Sequence, residues 1–195
     1  MTDRNSNVVV VGSGLMGTGI AHAFVSSGYA TLLVDTNDKA LEQARQGIED
    51  ILDAGVKLGK VSAADAATAK SLLKVSTTLD DAPVDASLLI ETVSENLVVK
   101  QSVVKQAAQR LGDTAILATN TSALSVTEIA SVVDKPQRVI GMHFFNPVHK
   151  MKLVELVLGI ATDEQTVADT RAWCDAINKT SILVNESPGL TTSRM

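Results

Sequence analysis

Short apolar runs alternate with longer amphipathic stretches along the chain. Val8–Val11 and Thr31–Val34 are almost continuously apolar, which is typical of strands covered on both faces. The pattern between them predicts a helix over residues 15–27, with Gly28 where a C-terminal cap belongs. After the second run, a polar and amphipathic stretch over residues 39–73 predicts further helix.

This helical stretch is interrupted at residues 55–60 and restarts at Ser62, a favourable N-cap. We therefore expect two helices that form a projecting hairpin. Further along the chain, strands are predicted at 74–76, 86–90, 115–118, 138–142, Leu153–Leu158 and 181–184, and helices at Leu97–Arg110, 127–132 and 164–177. Strands that alternate with helices favour a mostly parallel sheet covered on both faces. The right-handed crossover rule then makes this α/β fold doubly wound.

The composition is that of a globular domain, and it excludes several kinds of partner. Of the 195 residues, 45% are hydrophobic, and the formal net charge of −5 leaves no basic face for nucleic acid. The five aromatic residues are too few for a stacking platform. No apolar run approaches the roughly 20 residues that cross a bilayer, so no membrane partner is expected. The single cysteine, Cys174, permits no internal disulfide and favours a reduced, cytoplasmic setting.

A glycine-rich turn joins the first predicted strand to the first predicted helix. The sequence GSGLMG, which begins at Gly12, fits the pattern G-x-G-x-x-G. In this context Gly12 permits a tight turn, Gly14 lets the backbone approach a pyrophosphate, and Gly17 lets the helix pack against the strand. The amides of Leu15 and Met16 open the helix and face the phosphates. The fold is therefore predicted to be Rossmann-like, with a dinucleotide bound at this turn.

Asp35, at the end of the second predicted strand, indicates which dinucleotide is bound. Its carboxylate can accept hydrogen bonds from the adenosine ribose and would repel the additional phosphate of NADP. The next three residues include no arginine to hold that phosphate. We therefore predict NAD(H) as the cofactor. FAD is a minor alternative cofactor. The other interpretation is a glycine-rich turn that has only a structural role and binds no ligand.

Three later strands end in polar residues that should reach the same edge of the sheet, where ligands of doubly wound folds bind. These residues are Glu91, Glu95 and Lys100 after the strand at 86–90, Asn120 and Ser122 after the strand at 115–118, and His143 and Asn146 after the strand at 138–142.

His143 is the best candidate for a general base, because histidine suits proton transfer at neutral pH. It lies at a strand end beside Phe144 and Phe145, which would exclude water. His22 lies within the first helix and His149 follows a proline turn, so packing or exposure accounts for them. A structural role is the alternative for His143 as well.

Glu155 interrupts an otherwise apolar strand, and a buried carboxylate is costly unless it is paired. We expect it to pair with His143, to orient the imidazole and to fix its tautomer. The alternatives are an exposed position on an edge strand or a salt bridge with Lys152.

Four segments together resemble the L-3-hydroxyacyl-CoA dehydrogenases, a family that includes bacterial 3-hydroxybutyryl-CoA dehydrogenases. The segments are GSGLMGTGIA, then Glu95-Asn96-Leu97 with Lys100, then Asn120-Thr121-Ser122, and finally HFFNP from His143 followed by KLVE ending at Glu155. The resemblance implies NAD-dependent oxidation of (S)-3-hydroxyacyl-CoA, or the reverse reduction, with His143 as general base and Glu155 as its partner. It also implies that Ser122 contacts the substrate oxygen near the nicotinamide, and that Glu95, Lys100, Asn120 and Asn146 line the cofactor site.

Three departures from the family pattern concern the substrate. Ser193 stands where the family carries an asparagine, so this expected substrate contact has a shorter reach. Ile51 and Leu58 stand near the family's contacts to CoA, and only the neighbouring Lys57 and Lys60 offer a substitute. The family's helical C-terminal domain does not follow in this sequence. We expect residues 1–186 to form the NAD-binding domain and residues 187–195 to begin a linker toward that domain, through which the protein would form a homodimer.

Two other functions stay open beside the acyl-CoA dehydrogenase. A related NAD-dependent dehydrogenase could act on a free hydroxy acid, of the sugar-acid or carnitine type. A non-catalytic dinucleotide-binding module would keep the fold without the chemistry. The set of Ser122, His143 and Glu155 favours an enzyme, because a module needs no base and carboxylate.

Overall fold

The computed structural model of the protein describes residues 6–186. In chain order the elements are β1 (Val8–Val11), α1 (Leu15–Ser26), β2 (Thr31–Val34), α2 (Asp38–Lys57), α3 (Ala63–Leu72), β3 (Leu73–Ser76), β4 (Leu88–Glu91), α4 (Leu97–Arg110), β5 (Ile116–Thr119), α5 (Val126–Ala130), β6 (Val139–Phe144), β7 (Leu153–Leu158), α6 (Glu164–Ala176) and β8 (Thr180–Asn185). Among the helices of residues 6–186, none combines the length and the apolar character needed to cross a membrane.

All eight strands form one sheet in the order β3-β2-β1-β4-β5-β6-β7-β8. Every neighbouring pair is parallel except β6 and β7, which are antiparallel. The predicted doubly wound, mostly parallel sheet is therefore confirmed. The strand order reverses between β1 and β4, and the carboxyl ends at such a point are where open α/β sheets bind their ligands.

The apolar strands are buried because helices cover both faces of the sheet. Val8 and Val10 pack into one core with α1, α2, α3 and α6, whereas Val9 and Val11 pack into a second core with α4 and α5. Successive side chains of a strand point to opposite faces, so a run of four valines supplies both cores. This two-sided burial holds the loops at the carboxyl edge on a rigid support.

The predicted helical hairpin is formed by α2 and α3, each of which begins at a side-chain cap. The Asn37 side chain accepts a hydrogen bond from the amide of Ala40, and the Ser62 side chain accepts one from Asp65. Gly59 adopts a positive φ of 67° just after α2, a conformation that favours glycine and ends the helix.

Two strand boundaries differ from the prediction in ways that matter for the site. The fourth strand ends at Glu91 instead of residue 90, and the sixth extends to Phe144 instead of residue 142. The sixth strand is longer because its pairing with β7 continues to Phe144, which lies opposite Val154. His143 is therefore part of a strand and not of the loop behind it.

Candidate active site

The glycine turn between β1 and α1 is tightly closed at two glycines and open at the third. A side chain at Gly12 would meet Thr92 Oγ1 at 2.7 Å, and Gly12 also has a φ of 104°. A Cβ on Gly17 would lie 1.8 Å from the Gly12 carbonyl oxygen, so the start of α1 packs directly on the turn. Nothing lies within 4 Å of a Cβ built on Gly14. The open face at Gly14, beside exposed Leu15, fits a ligand that approaches the backbone closely.

Thr92 supports this turn from the neighbouring strand end. Its hydroxyl donates to the carbonyl oxygens of Val11 and Gly12, at 2.9 and 3.0 Å. Thr92 is not among the residues predicted from the sequence to form the site. A rule that examines the residue directly after each strand would have found it, provided that β4 had been predicted to end at Glu91.

Asp35 lies at the carboxyl end of β2, as predicted, and its carboxylate is bound to the glycine turn. Its Oδ2 accepts hydrogen bonds from the Ser13 amide and hydroxyl at 2.7 and 2.8 Å, and its Oδ1 accepts one from the Asn37 amide at 2.9 Å. Burial opposes ionisation, but these hydrogen bonds outweigh it and lower the pKa of Asp35 below its ordinary value. An ionised carboxylate here can accept from ribose hydroxyls and disfavours an added phosphate.

A cavity of about 560 Å³ opens between the glycine turn and Asp35, and we call it the nucleotide cavity. The glycine turn, Asp35 and the loop after β4 line it, together with residues that the sequence analysis missed: Thr36, Thr77, Thr78, Leu79, Thr92, Val99, Val103 and Gln106. An open glycine backbone, an acceptor for ribose and an apolar wall from α4 are the features that a dinucleotide requires. The residues present therefore fit NAD.

Glu95 and Ser122 meet at the turn that follows β5. Glu95 Oε1 accepts hydrogen bonds from the Thr121 hydroxyl at 2.5 Å and from the amides of Ser122 and Ala123 at 2.9 and 3.1 Å. The Ser122 hydroxyl lies 3.3 Å from the same oxygen and is exposed. Burial opposes ionisation of Glu95, but the Thr121 hydrogen bond and the Lys100 charge outweigh it and lower its pKa. Glu95 thus holds the Ser122 turn in place.

Lys100 lies beneath this turn and not on its surface. Its side chain is 1% exposed, and its ammonium contacts Glu91 Oε1 at 2.9 Å, the Val93 carbonyl at 3.3 Å and Glu95 Oε2 at 3.3 Å. Glu91 is fully buried, and its other oxygen accepts from the Thr119 hydroxyl at 2.6 Å. Any effect of Lys100 on a bound cofactor therefore acts through Glu95 and the loop after β4.

Asn120 and Asn146, the two asparagines predicted to line the cofactor site, differ in exposure. Asn120 Oδ1 accepts a hydrogen bond from the Phe144 amide at 2.9 Å and ties the end of β5 to the end of β6. Asn146 is exposed in the loop after β6. Ser193 lies outside the described residues. Within residues 6–186, no cluster of three or more histidine, cysteine or carboxylate side chains could hold a metal ion.

His143 and Glu155 lie directly opposite each other on the antiparallel strands β6 and β7. The distance between His143 Nδ1 and Glu155 Oε2 is 2.8 Å, so the predicted contact is present. Glu155 is fully buried on an interior strand, which excludes one of the two alternatives, the exposed position on an edge strand. Opposite an ionised carboxylate, which only accepts hydrogen bonds, a neutral imidazole carries its proton on Nδ1 and has its lone pair on Nε2.

Only one of the two predicted phenylalanine neighbours contacts the imidazole. Phe145 packs against it, with 4.7 Å between ring centroids. Phe144 is the next residue along the strand from His143, so its side chain points to the other face, where it is buried in the core. The expected apolar wall therefore consists of Phe145, and the expectation for Phe144 was wrong.

A second cavity of about 580 Å³ lies between α1, the helical hairpin and the loop after β6, and we call it the hairpin cavity. The apolar Ile51 and Leu58 line it beside four basic side chains and one carboxylate: His22, Lys60, His149, Lys150 and Asp65. Burial, together with the charges of His149 and Lys179, lowers the pKa of His22 to about 4. The hairpin thus supplies an apolar wall together with Lys60 and Asp65, and the loop after β6 supplies the basic His149 and Lys150.

Comparisons with known proteins identify the family to which this chain is similar. Residues 7–187 match the family described as 3-hydroxyacyl-CoA dehydrogenase, NAD binding domain. The chain is 37% identical over 188 residues to a probable 3-hydroxybutyryl-CoA dehydrogenase of Bacillus subtilis, covering 96% of this chain and 65% of that protein. It is 40% identical over 187 residues to the fatty acid oxidation complex subunit alpha of Idiomarina loihiensis, covering 95% and 26% respectively.

A crystal structure of (S)-3-hydroxybutyryl-CoA dehydrogenase from Ralstonia eutropha is similar in fold, with a TM-score of 0.93 and 38% identity, over 98% of this chain and 67% of that one. The chain thus spans about two thirds of the Bacillus relative and a quarter of the Idiomarina relative.

Proposed function

Because the chain belongs to the 3-hydroxyacyl-CoA dehydrogenase family through its NAD-binding domain, we propose that its protein oxidises (S)-3-hydroxyacyl-CoA to 3-oxoacyl-CoA, or catalyses the reverse reduction. The observation that carries this proposal is the buried His143–Glu155 pair at the carboxyl edge of the sheet that also bears the glycine turn. A dinucleotide-binding module without catalysis has no use for a base supported by a buried carboxylate.

NAD, when bound, accepts the hydride that leaves the substrate carbinol carbon. The glycine turn, with Gly12, Gly14 and the amides of Leu15 and Met16, would face its phosphates. Asp35 would accept from the adenosine ribose, and its negative charge would disfavour NADP.

We assign to His143 the removal of the proton from the substrate hydroxyl. Its Nε2 takes this proton as the alcohol becomes a carbonyl, and the ring becomes an imidazolium. Glu155 keeps the ring oriented through Nδ1 and stabilises its positive charge. In the reductive direction the imidazolium polarises the carbonyl oxygen and returns the proton to it.

Ser122 is assigned to the substrate oxygen and to the cofactor, since its hydroxyl is exposed at the turn after β5. Glu95 supports it through the hydrogen bonds to the Ser122 turn, and Lys100 supports Glu95. Asn120 and Asn146, on the loops after β5 and β6, complete the proposed nicotinamide side. Ser193 is proposed as a further substrate contact.

The hairpin cavity is the proposed location of the CoA portion of the substrate. CoA carries phosphates, and His149, Lys150 and Lys60 give this cavity a basic rim. In this cavity Lys60 would make the contact to CoA that the apolar side chains of Ile51 and Leu58 cannot make.

We propose residues 1–186 as the NAD-binding domain and residues 187–195 as the start of a linker to a C-terminal helical domain. A homodimer formed through that domain and a cytoplasmic location, which the single cysteine favours, belong to the same proposal.

The test follows absorbance at the NADH band with acetoacetyl-CoA as substrate, on the protein in its full natural length. His143→Gln should bind NADH as the unsubstituted protein does and lose most of the turnover. Turnover retained by this variant would refute the base assignment. A rate on free acetoacetate equal to that on its CoA thioester would favour the free-acid dehydrogenase. NADH binding without turnover in the unsubstituted protein would favour the non-catalytic module.

The cofactor site has its own test in Gly14→Ala. The added methyl group meets no protein atom within 4 Å, and the residue has an ordinary φ of −67°, so stability should be unchanged. If the pyrophosphate lies against this backbone, NADH affinity should fall at least about ten-fold. Unchanged NADH affinity, measured by fluorescence titration, would place the phosphates elsewhere.

A further inference from the structure

The loop that joins β6 to β7 is organised by a lysine from a distant part of the chain. Residues 145–152 form this loop, which connects the strand of His143 to the strand of Glu155. The Pro147 carbonyl accepts hydrogen bonds from the amides of Lys150 and Met151, at 2.9 and 3.0 Å, and closes a turn.

Lys179, between α6 and β8, occupies the inner side of this turn. Its ammonium donates to the carbonyl oxygens of Val148 and of Met151, the latter at 2.7 Å. The residue is only 9% exposed, and burial lowers the pKa of its amine. The next amide, that of Thr180, donates to the Lys152 carbonyl at 2.8 Å. Burial of an ammonium is costly unless the group is hydrogen-bonded. The two loop carbonyls supply these hydrogen bonds to Lys179, and the ammonium in turn fixes the loop.

The same loop is packed against the helix that begins at the glycine turn. Val148 is 3% exposed and lies so close to α1 that a Cβ on Gly19 would be 2.9 Å from its Cγ2. Gly19 therefore leaves room for Val148. Through this contact the loop, and Asn146 within it, is held against α1.

We propose that Lys179 is a positioning residue for the reaction proposed above, on which this inference rests. Its ammonium holds the 145–152 loop so that Asn146, and Phe145 against the His143 imidazole, keep their places. Lys179 contacts neither substrate nor cofactor in this role. The adenosine side of the nucleotide cavity, at Asp35, lies beyond β1 and does not depend on it.

The test compares Lys179→Met with the unsubstituted protein in its full natural length, with Lys105→Met, an exposed lysine on α4, as the matched control. For Lys179→Met we expect kcat with acetoacetyl-CoA to fall about ten- to hundred-fold, since small displacements of reacting groups have effects of this size. The Kd of NADH should rise about ten-fold, whereas the Kd of ADP, which reports only the adenosine side, should change less than about two-fold. The control should match the unsubstituted protein.

Equal losses of NADH and ADP affinity would indicate general destabilisation and overturn the proposal, as would unchanged kcat and NADH affinity. If Lys179→Met does not fold, Lys179→Arg, which keeps a positive charge and N–H donors at this position, replaces it. This variant should retain most of kcat and of the NADH affinity, and losses as large as those expected for removal of the ammonium would contradict its role. Absence of turnover in the unsubstituted protein would refute the reaction itself, while the comparison of NADH with ADP would still test Lys179.

Discussion

Glu155→Gln tests the chemistry most directly, because it removes one charge and almost no volume. Glu155 is fully buried, and its Oε2 lies 2.8 Å from His143 Nδ1. In the proposed reaction the carboxylate stabilises the imidazolium that forms when the substrate proton is taken up. The variant should bind NADH normally, keep its fold, and catalyse slowly.

The size of the loss can be worked out from this geometry. Two unit charges about 4 Å apart attract by about 4 kcal/mol at an effective dielectric constant of about 20. Each 1.4 kcal/mol of transition-state stabilisation is worth roughly ten-fold in rate, so kcat should fall about a thousand-fold. The carboxamide can also donate to Nδ1, which would move the proton to Nε2 and block the base, so the loss should not be smaller.

The assay is NADH oxidation with acetoacetyl-CoA at saturating concentrations of both, with NADH affinity measured separately by fluorescence. Glu128→Gln, the same chemical change at an exposed position on α5, is the control and should behave as the unsubstituted protein does. If Glu155→Gln kept more than about a tenth of kcat, the carboxylate would not be stabilising a charge on His143, and the reasoning would be wrong.

Three further outcomes follow from the packing and the pKa values. Gly17→Ala would put a Cβ 1.8 Å from the Gly12 carbonyl oxygen, so urea unfolding should show a loss of about 2 kcal/mol or more; unchanged stability would mean that the turn can open. The pKa of His22 falls from 6.5 to about 4 on folding. Between these two pH values, His22 is therefore protonated in the unfolded chain and neutral in the folded chain. Stability should therefore fall by up to about 3 kcal/mol as the pH drops from about 6.5 to 4, and His22→Gln should remove this dependence in denaturant titrations. Cys174, whose pKa burial raises to about 12, should react with a disulfide reagent at pH 8 only after unfolding, and rapid reaction of the native protein would contradict its burial.

The local parts of this molecule could be predicted from the sequence. The glycine turn and Asp35 belong to a single strand–turn–helix–strand unit, so spacing alone brings them together. The cap at Ser62 and the break before it are equally local, and the hairpin of α2 and α3 follows from them.

The parts of the site that depend on contacts between distant chain segments were harder to predict from the sequence. A carboxylate inside an apolar strand indicated that Glu155 needs a partner, but nothing local shows that β7 runs antiparallel to β6 with residues 143 and 155 in register. The depth of Lys100 beneath the loop after β4 depends on which face of α4 meets the sheet. Lys179 is separated in sequence from the loop it binds by β7 and α6, and its sequence surroundings resemble those of any surface lysine.

The register of β6 and β7 also indicates where the length of this chain can vary. One residue added within either strand would move every side chain beyond it to the other face of the sheet. The imidazole and the carboxylate would then lie on opposite faces, and no adjustment of neighbouring side chains could reunite them. We expect insertions and deletions among relatives to fall in the α2–α3 hairpin or in surface turns, and to be absent from these twelve strand positions.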